Sequence, residues 1–499
     1  MNTAGIVRQL LLVLAVICCR SGLADRPPNI LLIVSEDNGP ELGCYGDASA
    51  RTPNLDRLAS EGILFRRAFV PQAGCSQSRA SLLTGLYPHQ HGQIGLATWG
   101  FRMYRRETAT LPGCLKAVGY RTGIIGKLHI NPASAFPFDF KEISSANFQR
   151  KNLADYAKFA EQFMSADAAP FFLSVNYPDA HDPWLSQVDG LPERPLQPED
   201  VRIMEYMGVE SAGLQRLVAD YYNCLSRLDT LIGDLLQVLE RTGKADNTIV
   251  IYLGDHGADM LRGKRTCYEG GLRVPLLLRW KSQVHPQERS ELVATIDLMP
   301  TLLRAAGCEP VPGLPGTALQ PLFAPGSANW RTHYCAEYHT HAAAPNYFPQ
   351  RSITDGRFKL IRTLLPDSVH PDYANTIEKI QRDYNEQYAG AALDLRAVIA
   401  NSQPAVQAAY ALMRQPPQDQ LYDLQTDPTE LHNLAGDLRY AEQLQELQSV
   451  LLQWRTDTQD PLLDPEKLRR LTAEVRAVNR KSDAKDWKWK YPDYLTEQE

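Results

Sequence analysis

The chain has 499 residues, a length that allows two or three domains and a substantial buried core. Its 44% hydrophobic and 22% charged residues are the proportions of an ordinary globular protein. The 52 basic and 58 acidic residues give a net charge of −6, so no overall positive field favours nucleic acid. An anionic ligand would need a local basic pocket.

The first 24 residues have the pattern of an export signal. Arg8 precedes an apolar run over residues 10–19, and residues 22–24 form a small-residue cleavage site. We expect 1–24 to be a cleaved signal peptide, with a retained anchor or a lipoprotein at Cys18 or Cys19 as alternatives. No later run approaches the length of a membrane span. The mature chain is therefore predicted to enter a periplasm, a lysosome or the medium.

The first predicted strand covers residues 29–34 and is wholly apolar, which is typical of a central parallel strand buried on both faces. Glu36 and Asp37 follow it, at the strand end where open α/β sheets place their ligands. Adjacent carboxylates repel each other unless a cation lies between them. The pair therefore indicates a hard divalent metal, with a helix cap or a turn as the alternative.

The stretch over residues 75–85 begins with a cysteine and continues as a predicted helix. Cys75 would lie near the helix N-terminus, where free N–H groups and the helix dipole favour an anion. Arg79 would lie one turn further on the same face. The stretch thus combines a nucleophile, an anion pocket and a cation. The alternative is a buried, inert cysteine beside a helix cap.

Two further predicted strands, residues 121–126 and 171–176, also lead into polar residues. Lys127 and His129 follow the first strand and can reach one pocket, where lysine can hold an anionic oxygen and histidine can steer a proton. His181 lies in the loop after the second strand, where a lone histidine is more often structural. A long amphipathic helix is predicted over residues 214–239.

The strand predicted at 247–253 leads into Asp255 and His256, and Lys264 follows after a short loop. A Pro/Gly-rich boundary at 310–330 precedes short strands of a smaller antiparallel sheet. His339 and His341 follow the first of these strands. From topology alone, we predict that they face the pocket and bind substrate.

These motifs resemble those of the type I sulfatases, a family of the alkaline phosphatase superfamily. The family signature is Cys-x-Pro/Ala-Ser-Arg followed by x-x-x-Leu-Thr-Gly. Cys75, Ser78, Arg79 and residues 83–85 match it, whereas Gln77 stands where the family has Pro or Ala. The resemblance extends over residues 29–435. Within the family it is strongest to the sulfamidases (N-sulfoglucosamine sulfohydrolases), through residues 75–85, 121–129 and 137–140.

The predicted fold is α/β, with a large, mostly parallel central sheet flanked by helices and a smaller C-terminal α+β domain on an antiparallel sheet. We predict a catalytic domain over 25–325, a C-terminal subdomain over 326–460 and a tail over 461–499. The tail carries Trp487, Trp489 and Tyr491 and is interpreted as an arm or an oligomer contact.

The resemblance also implies the chemistry of the site. A formylglycine-generating enzyme would oxidise Cys75 during export, and the hydrated aldehyde would attack sulfur. Arg79, Lys127 and Lys264 would hold the sulfate, and His181 or His129 would protonate the leaving atom. The metal would be one Ca²⁺ per chain. Its implied ligands are Glu36, Asp37, Asp255, His256 and Cys75.

The predicted function is exo-acting removal of sulfate from N-sulfated glucosamine of heparin or heparan sulfate. Alternatives are an O-sulfatase acting on another sulfated carbohydrate, a phosphatase or phosphodiesterase of the superfamily, and a non-catalytic sulfated-glycan-binding protein, which only Gln77 supports. The predicted partners are the sulfated glycan and the generating enzyme, with a homodimer as a further option. No nucleic acid and no membrane span of the mature chain are expected.

Overall fold

The computed structural model describes residues 27–366, 368–388 and 391–496. The predicted signal peptide at 1–24 lies outside these residues. Within the described ranges, none of the helices has the length and apolar character needed to cross a bilayer. Every cysteine between Cys44 and Cys335 that the structure describes is a free thiol.

A mixed sheet forms the centre of the molecule, in the order β4-β3-β5-β1-β6-β8-β2-β7, with β9 also paired to β2. Strand β1 lies parallel to both β5 and β6, and β3 lies parallel to β5. This confirms the predicted fold class. The nine strands are β1 Asn29–Ser35, β2 Ile63–Phe69, β3 Arg121–Gly126, β4 Phe140–Glu142, β5 Phe171–Asn176, β6 Thr248–Gly254, β7 Arg273–Val274, β8 Leu276–Arg279 and β9 Gln287–Ala294.

The parallel strands end at one level. Val34 and Gly126 both pair with Asn176, and Ser35 pairs with Gly254, so the last residues of β1, β3, β5 and β6 form one edge. All seven residues of β1 and of β6 are buried, because helices cover both faces of the sheet. The helices before β10 are α1 Pro53–Ser60, α2 Cys75–Thr84, α3 Pro88–His91, α4 Leu111–Ala117, α5 Asp155–Ser165, α6 Ala212–Arg241, α7 Glu269–Leu272 and α8 Leu298–Ala305.

A second, antiparallel sheet has the order β10-β11-β12-β13. One hydrophobic cluster includes residues of both sheets, among them Ile30, Phe69 and Tyr422, and the rings of Phe69 and Tyr334 stack with centroids 5.4 Å apart. Because the two sheets share this core, the boundary at 325/326 stays a prediction. The strands are β10 Tyr334–Tyr338, β11 Gln350–Thr354, β12 Phe358–Thr363 and β13 Asp419–Asp423.

The sequence analysis missed the helices between β12 and β13, which cover most of residues 371–414. The first of them, α9, reaches across to the central sheet, where Lys379 lies 3.2 Å from Asp182 and 3.7 Å from Asp259. This insertion therefore packs beside the edge of the sheet where β1, β3, β5 and β6 end. The helices after β12 are α9 Pro371–Gln387, α10 Leu395–Ala400, α11 Pro404–Arg414, α12 Ala441–Asp457, α13 Pro465–Arg476, α14 Lys481–Ala484 and α15 Tyr491–Thr496.

The C-terminal tail folds back onto its own chain. The Trp489 ring stacks on Phe101 at 4.2 Å, and its indole N–H donates to the carbonyl of Trp99 at 2.9 Å. The Tyr491 hydroxyl donates to the carbonyl of Gly92 at 2.9 Å. The tail predicted as an arm or an oligomer contact thus packs against the loop after α3 of the same chain.

We expect Trp489→Ala to lower the free energy of unfolding by about 3–5 kcal/mol, because it removes a buried ring and leaves a cavity. Trp489 is 3% exposed, whereas the neighbouring Trp487 is 38% exposed and makes the matched control. Urea-induced unfolding of both variants measures the difference. Equal effects of the two substitutions would show that the tail is not docked.

Candidate active site

The predicted site residues converge at the carboxyl edge of the central sheet. Glu36 and Asp37 follow β1, Lys127 follows β3, and Asp255 follows β6. Cys75 begins α2, which follows β2 after a short loop. The buried parallel strands bring these residues together, as the rule for ligand positions in α/β sheets predicts.

Cys75 lies at the first turn of α2, a helix whose ten residues are all buried. Its Sγ lies 3.3 Å from Nε2 of His256. Burial raises the pKa of the Cys75 thiol, but Lys127, Lys264 and His256 outweigh burial and lower the pKa below its usual range. The environment of this position therefore stabilises negative charge.

Glu36 and Asp255 share one cation, Arg79. The Arg79 guanidinium contacts Glu36 directly and donates from Nε to Asp255 at 3.1 Å, and the second Glu36 oxygen lies 2.5 Å from Lys127. Burial raises the pKa of both carboxyls, but the neighbouring positive groups reverse this and hold the pKa of Glu36 and of Asp255 below its ordinary value. Both carboxylates thus stay ionised.

Asp37 has a cation of its own, Lys264. Nζ of Lys264 lies 2.9 and 3.0 Å from the two Asp37 oxygens. Burial lowers the pKa of Lys264, but Asp37, Cys75 and Asp259 raise it well above its ordinary value. The site therefore contains three buried carboxylates and three buried cations.

Four of these groups fit a divalent cation. Asp37, Cys75, Asp255 and His256 are buried, and each offers a ligand atom within 4.8 Å of the others. His256 donates from Nδ1 to the carbonyl of Gly257 at 2.9 Å, which leaves Nε2 facing Asp37 at 3.3 Å, where a metal ion would replace the Nε2 proton. Burial lowers the pKa of His256, and Asp255 and Asp37 raise it to about 9. Glu36 joins a second, overlapping group with Asp37, Cys75 and His181.

The two candidate proton donors, His181 and His129, differ in the contacts that hold their rings. The His181 ring stacks on Phe148 at 3.8 Å, and its Nδ1 lies 3.1 Å from an Asp182 oxygen. His129 has a left-handed backbone with φ of 59° and pairs through Nε2 with the Thr98 hydroxyl at 2.7 Å. Burial and the charge of Lys127 hold the pKa of His129 well below its ordinary value, so its ring is neutral.

A cavity of about 370 Å³ opens beside these groups. His181 and Lys264 line it on the side of the central sheet, and Lys379 and Arg382 line it from α9. His341 also lines the cavity, in agreement with its predicted position. His339 is 1% exposed and lies 3.5 Å from Glu337, so this histidine does not face the cavity as predicted.

The sequence analysis did not predict several residues that hold the site residues in place. Asn176, the last residue of β5, accepts a hydrogen bond from Arg79 at 2.7 Å, and its place at a strand end was a usable signal. Asp179 is buried between Arg150 at 3.0 Å and Arg227 at 2.8 Å, and it supports the loop that carries His181. Arg227 belongs to α6, so nothing in the local sequence indicates this contact.

We expect Arg79→Met to lower the free energy of unfolding by about 3–5 kcal/mol, because it leaves Glu36 and Asp255 buried with less compensation. Arg66→Met is the matched control, since Arg66 also binds a glutamate, Glu288, with two hydrogen bonds but at the surface. Loss of that surface pair should cost about 0–1 kcal/mol. Urea unfolding measures both variants, and similar values would contradict the electrostatic account of the site.

Comparisons with known proteins identify the family of the chain. Residues 28–308 match the family model Sulfatase, and residues 254–373 match the model of the N-sulphoglucosamine sulphohydrolase C-terminal region. The N-sulphoglucosamine sulphohydrolase of Homo sapiens is 31% identical over 497 residues, which cover 91% of this chain and 93% of that protein. An ulvan-active sulfatase of Formosa agariphila is 26% identical, with 87% of this chain and 81% of that protein covered.

A solved structure shares the fold. It is the complex of a protein with its substrate D-glucosamine-2-N,6-O-disulfate, and it superposes with a TM-score of 0.63 at 20% identity over 87% of this chain and 99% of that chain. The family match covers more than half of the chain, and the human relative matches along nearly all of it. The chain therefore belongs to the sulfatase family and is a sulfuric ester hydrolase.

Proposed function

We propose that this sulfatase removes sulfate from N-sulfated glucosamine at the end of heparin or heparan sulfate chains. It would use a formylglycine made from Cys75 and one bound Ca²⁺. The observation that carries the proposal is the position of Cys75. It lies among buried groups that could bind a metal ion and beside three buried cations. Relatives that act on sulfated glycans support the substrate class.

The charge balance of the site supports joint binding of a cation and an anion. Glu36, Asp37 and Asp255 supply oxygen ligands for a divalent cation, and Arg79, Lys127 and Lys264 supply positive charge for a sulfate group, so the charges of the two bound ions would offset each other. Asp37, Asp255, His256, Glu36 and residue 75 would hold the metal. When bound, Ca²⁺ supplies Lewis-acid polarisation of oxygen atoms at the site.

The side chains of this chain would bind the sulfate, attack sulfur and transfer protons. Arg79, Lys127 and Lys264 would bind the non-bridging sulfate oxygens, where charge develops as the bond to sulfur breaks. One hydroxyl of the hydrated residue 75 would form a bond to sulfur as the S–N bond breaks, and the proton that it loses would balance the proton that His181, which lines the cavity, gives to the leaving nitrogen. The second hydroxyl would then lose its proton and expel sulfate, which restores the aldehyde. His129, neutral and bound to Thr98, would act as a hydrogen-bond donor or steer that proton.

The proposal includes export through residues 1–24, conversion of Cys75 by a formylglycine-generating enzyme, and the division into 25–325, 326–460 and 461–499. A second candidate is O-sulfatase activity on another sulfated carbohydrate, which the ulvan-active relative supports. The two candidates differ in the bond that is cut, N–S or O–S, and substrates distinguish them directly.

In protein exported by its native host, we expect the peptide that contains Cys75 to be about 18 Da lighter than the unmodified peptide, as the change from cysteine to formylglycine requires. The same protein should release sulfate from N-sulfated glucosamine, and Cys75→Ala should abolish this release. Cys335→Ala, which removes another buried free thiol, is the matched control and should retain turnover. An unmodified Cys75 in active protein would contradict the proposed nucleophile, and release from O-sulfated sugars only would favour the second candidate.

Removal of the metal with EGTA should abolish turnover and lower Tm, and added Ca²⁺ should restore both. A ligand at 100 times its Kd stabilises the folded state by about 2.7 kcal/mol. Asp255→Asn should lose this Ca²⁺-dependent shift in Tm. Asp297→Asn should keep it, because Asp297 is an equally buried carboxylate whose partner is Arg331 and not the site. Restoration by another divalent ion but not by Ca²⁺ would contradict the proposed metal.

A further inference from the structure

Gln77, the residue that departs from the family signature, connects the helix of Cys75 to two loops. Its side chain is fully buried, and Nε2 donates to the carbonyl of Thr340 at 2.7 Å and to that of Ile94 at 3.2 Å. Neither Pro nor Ala has a side-chain donor, so neither could form these bonds. Gly74 provides the space, since a Cβ there would lie 2.7 Å from Oε1 of Gln77.

The first of these loops carries the wall of the cavity. Thr340 directly precedes His341, which lines the cavity together with residues of α9. The carbonyl of Thr340 also accepts a hydrogen bond from Gln72 at 3.3 Å, and the carbonyl of His341 accepts one from the backbone of Leu96 at 2.9 Å. Gln77 therefore makes a shorter hydrogen bond than Gln72 between Thr340 and the chain around Cys75.

The second loop, residues 94–98, touches both the nucleophile helix and a candidate proton donor. The backbone N–H of Ala97 donates to the hydroxyl of Ser76 at 2.9 Å, and Thr98 pairs with His129 at 2.7 Å. Gln77 binds this loop at Ile94. One buried amide thus bridges the start of α2, the loop beside His129 and the loop that carries His341.

We propose that Gln77 is a positioning residue that fixes the cavity wall at His341 relative to residue 75, so that binding of the sulfated sugar depends on it. The inference rests on the proposed function, and it concerns binding of the sugar part of the substrate and not binding of its sulfate group. The anion is held by Arg79, Lys127 and Lys264, whose contacts do not include Gln77. Loss of the Gln77 bonds should therefore weaken sugar binding and leave sulfate binding intact.

The test uses Gln77→Ala and Gln77→Pro, both of which give the residue expected from the family signature. Proline suits the first turn of a helix, where the backbone N–H has no intrahelical partner. The Cys75 peptide mass gives the converted fraction of each protein, and every rate is divided by that fraction. We expect KM for N-sulfated glucosamine to rise about 10-fold, as loss of hydrogen bonds of ordinary strength implies, with kcat within about 2-fold. The inhibition constant of inorganic sulfate should also stay within about 2-fold.

Gln320→Ala is the matched control. Its Nε2 also donates to a backbone carbonyl, that of Thr301, at 2.9 Å, and its Oε1 likewise has no partner among the described residues. In the Gln320→Ala protein, we expect KM for N-sulfated glucosamine and the inhibition constant of inorganic sulfate to stay unchanged. Gln77→Met, which fills similar space without a donor, replaces the alanine variant if that variant fails to fold.

Unchanged KM in folded, converted Gln77 variants would overturn the inference. A parallel rise in KM and in the sulfate inhibition constant would also overturn it, because the effect would then lie in the anion-binding groups. Failure of the proposed function looks different, because the wild-type protein itself would then lack the modified Cys75 or release no sulfate, and the inference would fall with it.

Discussion

The structure depends on the burial of three carboxylates at one edge of a parallel sheet. A buried ion costs several kcal/mol unless another charge and hydrogen bonds compensate for it. Arg79 meets this constraint by contacting Glu36 and Asp255 together, while Lys127 and Lys264 complete the pairing. These cations come from α2 and from the loops after β3 and β6. The edge therefore exists only when several distant parts of the chain are in place.

The same pairing determines how the site behaves as an acid and as a base. The cations keep Glu36 and Asp255 ionised in spite of burial, and the carboxylates keep Lys264 charged. A metal ion would compete with these cations for carboxylate oxygens and would free them for an incoming anion. In the proposed function, the binding of Ca²⁺ and the binding of sulfate are therefore expected to support each other.

Much of the site could be predicted because its residues follow strong local patterns. Strands β1 and β6 are mainly apolar runs, β3 and β5 are short buried strands, and Glu36, Lys127 and Asp255 each follow the end of one of these strands. Other parts of the site have no local sequence pattern that identifies them. Arg227 reaches Asp179 from the middle of a long helix whose apolar pattern indicates only packing, and the apolar positions of the helices over 371–414, such as Ile377 and Ile380, likewise indicate packing and not a site. His339 and His341 are two residues apart, and only the folded loop shows that one is buried and the other lines the cavity.

The docking of the tail has a consequence for the order of events during biosynthesis. Trp489 binds the carbonyl of a residue 390 positions earlier, in the loop that also contacts Ser76 and His129. Contacts of such long sequence separation form late, because the cost of closing the loop precedes the gain. The loop over residues 94–99 thus receives its contacts from the tail only after nearly the whole chain has been synthesised. In the proposed function, an enzyme that converts Cys75 would therefore have the time of chain synthesis in which to act before the finished fold encloses this residue.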